Sequence, residues 1–243
     1  QAEGLGISKG ISLQSDGSGS RIYHNNVSIT GVDVVNGQAL EVLGGTGYAI
    51  RNNIFSNTGG GYAAYLNASV STFDMDYNDY YSAKRKLVYY SGTMYDTLGA
   101  FSTVTGKDLN GKEVNPYYTS TSDLTPNHTL LNGTGVAVLQ VTNDINNTSR
   151  SNPPDIGAKE FSVCANDAGV HEFWGLSNPL PVGVSLIRVV LQNHGSNNLT
   201  STTINWEVNG VAQTPFLWSG NLMSKQSTVV NIGSFVFASG STF

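Results

Sequence analysis

The stretch Ile50-Arg51-Asn52-Asn53-Ile54-Phe55-Ser56-Asn57 recurs in weaker form on both sides of itself. The copies are Ile22-Tyr23-His24-Asn25-Asn26-Val27 before it and Met75-Asp76-Tyr77-Asn78-Asp79-Tyr80-Tyr81 after it. Aligned on one asparagine per copy, Asn26 lies 27 residues before Asn53, and Asn53 lies 25 residues before Asn78. A period of this size, with short apolar runs between glycine-rich turns, is typical of stacked supersecondary units. It predicts coils of a parallel β-helix in which the stacked asparagines bond to one another at one bend.

The composition favours strands and turns over long helices. Charged residues make up 12% of the 243 residues, about half the usual share, and Gly, Ser, Thr and Asn take their place. The net charge is −5 and the longest basic run is Lys84-Arg85-Lys86, so nucleic acid is not an expected partner. No apolar run approaches the roughly 20 residues that span a bilayer. The single cysteine, Cys164, excludes a disulfide framework and a cysteine-rich zinc site within the chain.

The repeat loosens after about residue 83. Alternation places Phe73, Met75 and Tyr77 on one face of a strand, with Asp74 and Asp76 on the other. Beyond it, short extended segments and turns continue to residue 161. We expect them to cover the open end of the stack, because a bare coil exposes unpaired backbone and apolar core.

Three segments of this first part carry a resemblance to a known group. They are FDMDYNDYYS (73–82), TLGAFSTVTGKDLNGKEVNPYYTSTSDLTPNHTLLNGTG (97–135) and PPDIGAKEF (153–161). Residues 1–161 resemble the C-terminal end of right-handed parallel β-helix proteins secreted by Bacteroidetes-type bacteria. In that group the phrases Thr-Gly-x-Asp, Asn-Pro-x-Tyr, Asp-Leu and Asp-Ile-Gly-Ala-x-Glu recur in this order. The resemblance implies the last coils and the cap of such a helix, an ending that closes lyases, other polysaccharide-active proteins and large adhesins.

A second domain is expected over residues 162–243. Pro153-Pro154 and Val163-Cys164-Ala165-Asn166 mark a joint, and charged residues are rare after it. About seven short strands follow, and Asn209-Gly210 predicts a type I′ hairpin turn between two of them. This pattern predicts an all-β domain of the immunoglobulin-like sandwich type, without the Cys…Trp…Cys framework of antibody domains.

Residues 166–243 also resemble a CARDB-type adhesion module. The resemblance lies in NDAGV (166–170), VVLQNHGSNNLTSTTINWEVNG (189–210) and SGNLMSKQSTVVNIG (219–233). Such modules occur in cell-surface and gliding-associated proteins of the same bacteria, many of them exported by the type IX route. The resemblance therefore implies a secreted or cell-surface protein.

The densest acidic cluster is Asp74, Asp76 and Asp79. Oxygen ligands of this kind suit Ca²⁺, the one metal that the sequence suggests, or an acid and base acting on a sugar. The simpler interpretation is an exposed ion pair between Asp76 and Arg51 one coil earlier. Candidate ligand-binding residues are Tyr80 and Tyr81, as part of a sugar-stacking surface, and Trp174, if exposed beside Phe173. No residue is assigned a catalytic role.

Two functional hypotheses follow. In the first, the chain is a non-catalytic fragment of a secreted or surface adhesin, with a rigid β-helix stalk and an adhesion module that contacts extracellular polysaccharide. In the second, it is the C-terminal part of a polysaccharide lyase or glycoside hydrolase whose active site lies mostly upstream. The chain begins in mid-pattern and shows no signal peptide, so we expect further domains of the same polypeptide, and the secretion machinery, as partners.

Overall fold

Three successive coils of a β-solenoid form the first part of the chain in this computed structural model, which describes residues 8–14, 18–32, 37–176 and 182–238. The first coil contains β1 (Lys9–Leu13), β2 (Arg21–Tyr23) and β3 (Asn26–Ile29). The second contains β4 (Gln38–Val42), β5 (Ala49–Arg51) and β6 (Ile54–Asn57), and the third β7 (Tyr62–Leu66), β8 (Asp74–Asp76) and β9 (Asp79–Ser82). Between the second and third strands of each coil, His24, Asn52 or Tyr77 adopts a positive φ of 53°, 57° or 60°. This left-handed residue turns the chain sharply at the same point each time.

Equivalent strands of successive coils pair in parallel and build three sheets. The first sheet has the order β1-β4-β7-β10-β11, where β10 (Val88–Tyr90) and β11 (Thr93–Tyr95) form its antiparallel edge. The second sheet is β2-β5-β8 and the third is β3-β6-β9. The predicted parallel solenoid is therefore confirmed. Among the described residues, no helix is long and apolar enough to cross a membrane.

The register corrects the predicted asparagine alignment by one residue. Asn26 pairs with Ile54, not with Asn53. The equivalent of Asn53 is Asn25, whose Nδ2 and backbone nitrogen donate to Asn53 Oδ1 at 2.9 and 3.0 Å. Asn53 donates in the same way to Asn78, at 2.9 and 3.0 Å. The predicted ladder of stacked asparagines exists, and it runs through Asn25, Asn53 and Asn78.

Rows of apolar side chains fill the solenoid interior. One row joins Ile11, Leu40, Ala64 and Val88 through the first sheet, and the last three are fully buried. Such rows remove apolar surface from water along the whole stack, at about 25 cal/mol per Å². Phe73 and Met75 are buried as expected, whereas Tyr77 is the left-handed bend residue and is only half-buried.

The helix α1 (Leu98–Thr105) covers the end of the third coil. Thr97 accepts from the backbone nitrogen of Ala100 at 3.3 Å, and Gly106, with φ 68°, ends the helix, as a left-handed C-cap commonly does. The helix buries Leu98 and Phe101 in the solenoid core. The helix therefore covers apolar side chains at this end of the solenoid.

Residues 113–161, here called the flank segment, do not cover the end of the stack as predicted. They lie on the outer side of the third sheet and reach back to the first coil. Side-chain oxygens of Asp79, Asn52 and Asn26, one from each coil, accept backbone N–H groups of Val114, Val136 and Ala158 at 2.9–3.0 Å. Under the segment, Ile54, Leu131 and Ile156 form a separate, fully buried cluster. The outward-facing Ile54 explains this placement, because an apolar side chain on an outer sheet face favours a cover.

Residues 155–160, which form the Asp-Ile-Gly-Ala-x-Glu motif, hold the flank segment in place. The Asp155 carboxylate accepts from the backbone nitrogens of Gly133 and Phe161, both at 2.6 Å. Gly157 has φ 106°, and a Cβ there would lie 2.3 Å from Asn26 Oδ1. Glu160 pairs with Arg150 at 3.0 Å. Asp155, Gly157 and Glu160 therefore each have a structural role.

The second compact unit is Val163–Phe243, after a first unit of Gln1–Ser162. Its strands are β12 (Ala168–Phe173), β13 (Gly183–Asn193), β14 (Leu199–Ile204), β15 (Glu207–Val208), β16 (Val211–Ala212), β17 (Phe216–Leu222) and β18 (Ser227–Phe237). They form the antiparallel sheets β12-β13-β18, β14-β17 and β15-β16. Asn209 and Gly210 have φ 51° and 76°, which agrees with the predicted type I′ turn.

Candidate functional site

The three aspartates of the predicted metal site have separate partners. Asp74 pairs with Arg51 at 2.5 Å, although the strand register places Asp76 beside that arginine. Asp76 instead accepts from the backbone nitrogen and Nδ2 of Asn110, both at 2.8 Å. The predicted Arg51–Asp76 ion pair is therefore corrected to Arg51–Asp74. Both of its members are partly exposed, so its contribution to stability is about 0–1 kcal/mol.

Asp79 lies beneath the flank segment and is fully buried. Its Oδ1 accepts from Val114 N at 3.0 Å, and its Oδ2 has no hydrogen-bond partner. The hydroxyl of Tyr118, also buried, has none either. Burial raises the pKa of the Asp79 carboxyl well above its ordinary value, because a charged form is costly in an apolar surrounding. Among the described residues, no group of three or more His, Cys, Asp or Glu side chains is placed to hold a metal ion.

Tyr80 belongs to the core and offers no ring face to a ligand. It is fully buried, packs on Phe55 with ring centroids 5.6 Å apart, and donates its hydroxyl to Asp108 Oδ2 at 2.9 Å. The other oxygen of Asp108 accepts from the backbone nitrogen and Nδ2 of Asn78 at 3.1 and 2.9 Å. Asp108 is thus the last member of the asparagine ladder, and burial raises its pKa to about 7.

Tyr81 faces outward from the third sheet and is half-buried. Burial raises the pKa of its phenol, and Asn115 hydrogen-bonds to it. The nearby Tyr117 stacks on His128 with ring centroids 5.9 Å apart and planes 4° apart. Tyr81 therefore stands beside the flank segment, with part of its surface open to solvent.

A row of three tyrosines on the outer face of the first sheet was missed by the sequence analysis. Tyr65 and Tyr89 are register partners on β7 and β10, and their rings stack at 4.4 Å with planes 2° apart. The ring of Tyr62 meets each of these two rings edge-on, with ring centroids 5.8 Å apart in both pairs. Lys86 Nζ lies 5.5 Å from the centroid of the Tyr62 ring. The signal was the spacing of 24 residues between Tyr65 and Tyr89, which is one coil. We call Tyr62, Tyr65 and Tyr89 the tyrosine row.

Charged groups continue this outer face towards the first coil. Glu41 is the register partner of Tyr65, and its carboxylate accepts from Lys9 Nζ at 2.7 Å and from Ser12 Oγ at 2.6 Å. Burial opposes the charged form, but these two hydrogen bonds outweigh it, so the pKa of Glu41 is lowered. The face therefore carries aromatic rings and an ionised carboxylate side by side.

His24 links the first coil to the flank segment. Its Nδ1 lies 3.1 Å from the carbonyl of Gly157, and its Nε2 lies 3.0 Å from Asn52 Nδ2. A carbonyl only accepts, so Nδ1 carries the proton and Nε2 accepts from the amide. Burial, reinforced by Arg150, lowers the pKa of His24 to about 4. The neutral imidazole is therefore a structural connector.

In the second unit, Trp174 is exposed as the sequence analysis required of a contact residue. It is 50% exposed and the adjoining Phe173 is 52% exposed, at the end of β12. The other two tryptophans pack against the buried cluster of this unit. Exposed aromatic pairs of this kind mark contact surfaces more often than scattered aliphatic residues do.

The flank segment holds a pocket of about 270 Å³ that is lined mainly by Ala137, Val138, Leu139, Val141 and Pro154, with Arg150 at one side. The Arg150 guanidinium is already paired with Glu160 and with the carbonyl of Ala158.

No protein-family model, curated protein or solved structure matches this chain. Function is therefore inferred from the geometry of the chain.

Proposed function

We propose that this chain is a non-catalytic segment of a secreted or cell-surface adhesin, in which the solenoid is a rigid stalk and the second unit is an adhesion module. One observation carries the proposal. The buried and half-buried acids of the solenoid hold the fold together: Asp76 binds Asn110, Asp79 binds Val114, and Asp108 ends the ladder. Acids that act on a sugar instead face the substrate in a pair.

The finer features of the proposal have separate support. A right-handed solenoid is the expected hand, because nearly all parallel crossover connections are right-handed. An immunoglobulin-like, CARDB-like second unit is supported by its antiparallel strands and its Asn209-Gly210 hairpin. Secretion by the type IX route rests on the sequence resemblance of residues 166–243.

The contact surface proposed for the stalk is the tyrosine row, and its ligand is an extracellular polysaccharide. Tyrosine rings offer apolar surface to the C–H faces of sugars and a hydroxyl to their oxygens. The neighbouring Ser12 is exposed and adds a hydroxyl on the same face, beside the buried Glu41 to which it donates. The contact surface proposed for the second unit is the exposed pair Phe173 and Trp174.

A second candidate is the C-terminal part of a polysaccharide lyase or glycoside hydrolase. The observation that favours it is the continuous outer face of the first sheet, where Lys9, Glu41 and the tyrosine row lie along the stack. In that case catalytic groups would stand on coils preceding the first, and this chain would supply only the end of the substrate cleft.

The two candidates differ in turnover. Both this chain and the full-length polypeptide that contains it are incubated with neutral and uronate-containing polysaccharides, and both retention on the polysaccharide and release of reducing or unsaturated ends are measured. We expect retention without product, reduced about tenfold in the double variant Tyr65→Ala/Tyr89→Ala. Leu139→Ala, at an exposed site on the flank segment, is the matched control. Released oligosaccharides would establish the enzyme, and retention unchanged in the double variant would remove the tyrosine row from the site.

A further inference from the structure

The asparagine ladder has a direction. Each member donates its backbone N–H and its Nδ2 to the Oδ1 of the member one coil later, from Asn25 to Asn53, to Asn78 and then to Asp108. The last member, Asp108, carries a carboxyl group and so has no Nδ2 that could donate to a further member. The end that faces α1 is therefore a terminus of the ladder as well as of the sheets.

A second set of bonds ties each asparagine to the coil before it. Asn53 Nδ2 donates to the carbonyl of Ile22, and Asn78 Nδ2 donates to the carbonyl of Ile50, both at 2.8 Å. Each of these carbonyls stands three residues before the asparagine of its own coil. A complete ladder position thus receives two donors from the preceding coil and gives one hydrogen bond back to it.

Asn25 makes the hydrogen bonds that this pattern directs to the following coil. Its N–H and Nδ2 bind Asn53 Oδ1, and Nδ2 also reaches the carbonyl of Tyr23 at 3.0 Å. Within residues 8–14, 18–32, 37–176 and 182–238, no donor binds Asn25 Oδ1, and no strand pairs with the outer edges of β1, β2 and β3. We call these three edges together with Asn25 the open face.

The apolar side chains of the open face are also incompletely covered. Leu13 and Val27 are half-buried, whereas their register partners in the second coil, Val42 and Phe55, are fully buried. The difference is the surface that one more coil would cover. At the opposite end, Phe101 of α1 already provides this cover.

We propose that the open face docks a further coil of a parallel β-solenoid that precedes the first coil in polarity. The docking coil carries an asparagine at its bend, whose N–H and Nδ2 donate to Asn25 Oδ1. Its carbonyl three residues earlier accepts from Asn25 Nδ2. Its strands continue the three sheets in parallel, and its apolar residues cover Leu13 and Val27.

A second copy of this chain fits the open face less well. Two open faces brought together would present the same acceptor, Asn25 Oδ1, to each other. The backbone N–H that a ladder partner must supply is already bound to Asn53 Oδ1 in both copies. The other end is closed by α1 and Asp108, so end-to-tail stacking is blocked as well.

The test supplies the coil by fusion. Residues 1–8 are replaced by a copy of residues 38–61, so that Lys9 follows the copy as Tyr62 follows residue 61 in the chain. The matched control carries Asn53→Asp in the copy, which removes the Nδ2 donor and sets a carboxylate against Asn25 Oδ1. Hydrogen exchange of the amides in 21–29 and the urea midpoint are measured for both.

We expect exchange in 21–29 to slow by at least about tenfold in the asparagine fusion, and most of this protection to be lost in the aspartate control. Equal protection in the two fusions would overturn the ladder polarity. Should the fusion not fold, the unaltered chain with excess synthetic peptide 38–61 replaces it, and no protection there overturns the proposal. Sedimentation of the unaltered chain as a dimer that the fusion abolishes would assign the open face to a second copy.

Discussion

Replacing Asp108 with asparagine should make the solenoid more stable at alkaline pH. The carboxyl ends a ladder of amides: its Oδ1 accepts from Asn78 as Asn78 Oδ1 accepts from Asn53. Asparagine keeps that acceptor and removes the ionisable group. Asp108 has φ 49°, a left-handed conformation that asparagine also tolerates.

The magnitude follows from linkage. Burial raises the pKa of Asp108 from 3.8 to about 7, so the folded chain holds this proton more tightly than the unfolded chain. Stability from this group is complete below pH 3.8 and is lost as pH rises towards 7. Between pH 5 and pH 8 the loss is about 3 kcal/mol, or about 6–10 °C in Tm for a unit of this size. The variant Asp108→Asn should lack this loss.

The chain offers an internal control for the assay. All three tryptophans, Trp174, Trp206 and Trp218, lie in the second unit, so tryptophan fluorescence follows that unit alone. Far-UV circular dichroism in urea follows both units. At pH 8 we expect Asp108→Asn to move the dichroism transition to higher urea and to leave the fluorescence transition unchanged.

Two further measurements decide the matter. Asp108→Ala removes the acceptor of two buried donors on Asn78 and should cost about 2–4 kcal/mol at every pH. The other titrating groups are common to wild type and Asp108→Asn, so they cancel in the difference between them. A difference that stays constant from pH 5 to pH 8 would refute the reasoning.

Three other predictions concern the solenoid. The pKa of His24 is lowered from 6.5 to about 4, so stability present above pH 6.5 should fall by about 3 kcal/mol as pH drops to 4. In pH-dependent urea unfolding, His24→Gln should lack this acid limb, and an unchanged limb would exclude His24 as its source. Gly157→Ala should cost about 2–4 kcal/mol, because its Cβ would overlap Asn26 at φ 106°. Gly99→Ala, which meets no atom within 4 Å in α1, should instead stabilise by up to about 1 kcal/mol, and equal effects on the urea midpoint would contradict the packing argument. Calcium followed by excess chelator should leave Tm unchanged, because Asp74 and Asp76 are bound to protein groups; a calcium-dependent rise would restore the predicted metal site.

The coil period could be predicted from sequence, but the register was wrong by one residue. Asn25 and Asn26 are adjacent, and either satisfies the spacing to Asn53. The residue at the left-handed bend decides between them, because the ladder asparagine follows directly after His24, Asn52 or Tyr77. Backbone conformation of this kind leaves little trace in composition, since a histidine, an asparagine and a tyrosine all adopt it here.

The placement of the flank segment could not be predicted from the local sequence pattern. Ile54 and Asp79 face outward from the third sheet, and outward normally means towards solvent. The flank segment covers both, which changes Asp79 from an exposed candidate ligand into a buried acid. Contacts such as His24 with Gly157, 133 residues apart, are set by the whole fold and not by any window of the sequence.

The candidate site residues also divide into those that the sequence identified and those that it missed. Tyr80 and Tyr81 were both candidates for a sugar-stacking surface, but adjacent strand residues point to opposite faces, and Tyr80 is in the core. Tyr65 and Tyr89 are far apart in sequence but equivalent in the coil period. Applying the period to tyrosines, as it was applied to asparagines, would have found the stacked pair.

The contact between His24 and Gly157 also constrains the order of folding. The first coil leaves the ribosome long before residue 157, so its histidine has no carbonyl to bind until 133 more residues have been made. Closing so long a loop carries an entropic cost that only later contacts offset. The contacts of this coil are therefore completed only after the flank segment has been made, and until then the outer face of the third sheet, including Ile54, stays exposed to other chains.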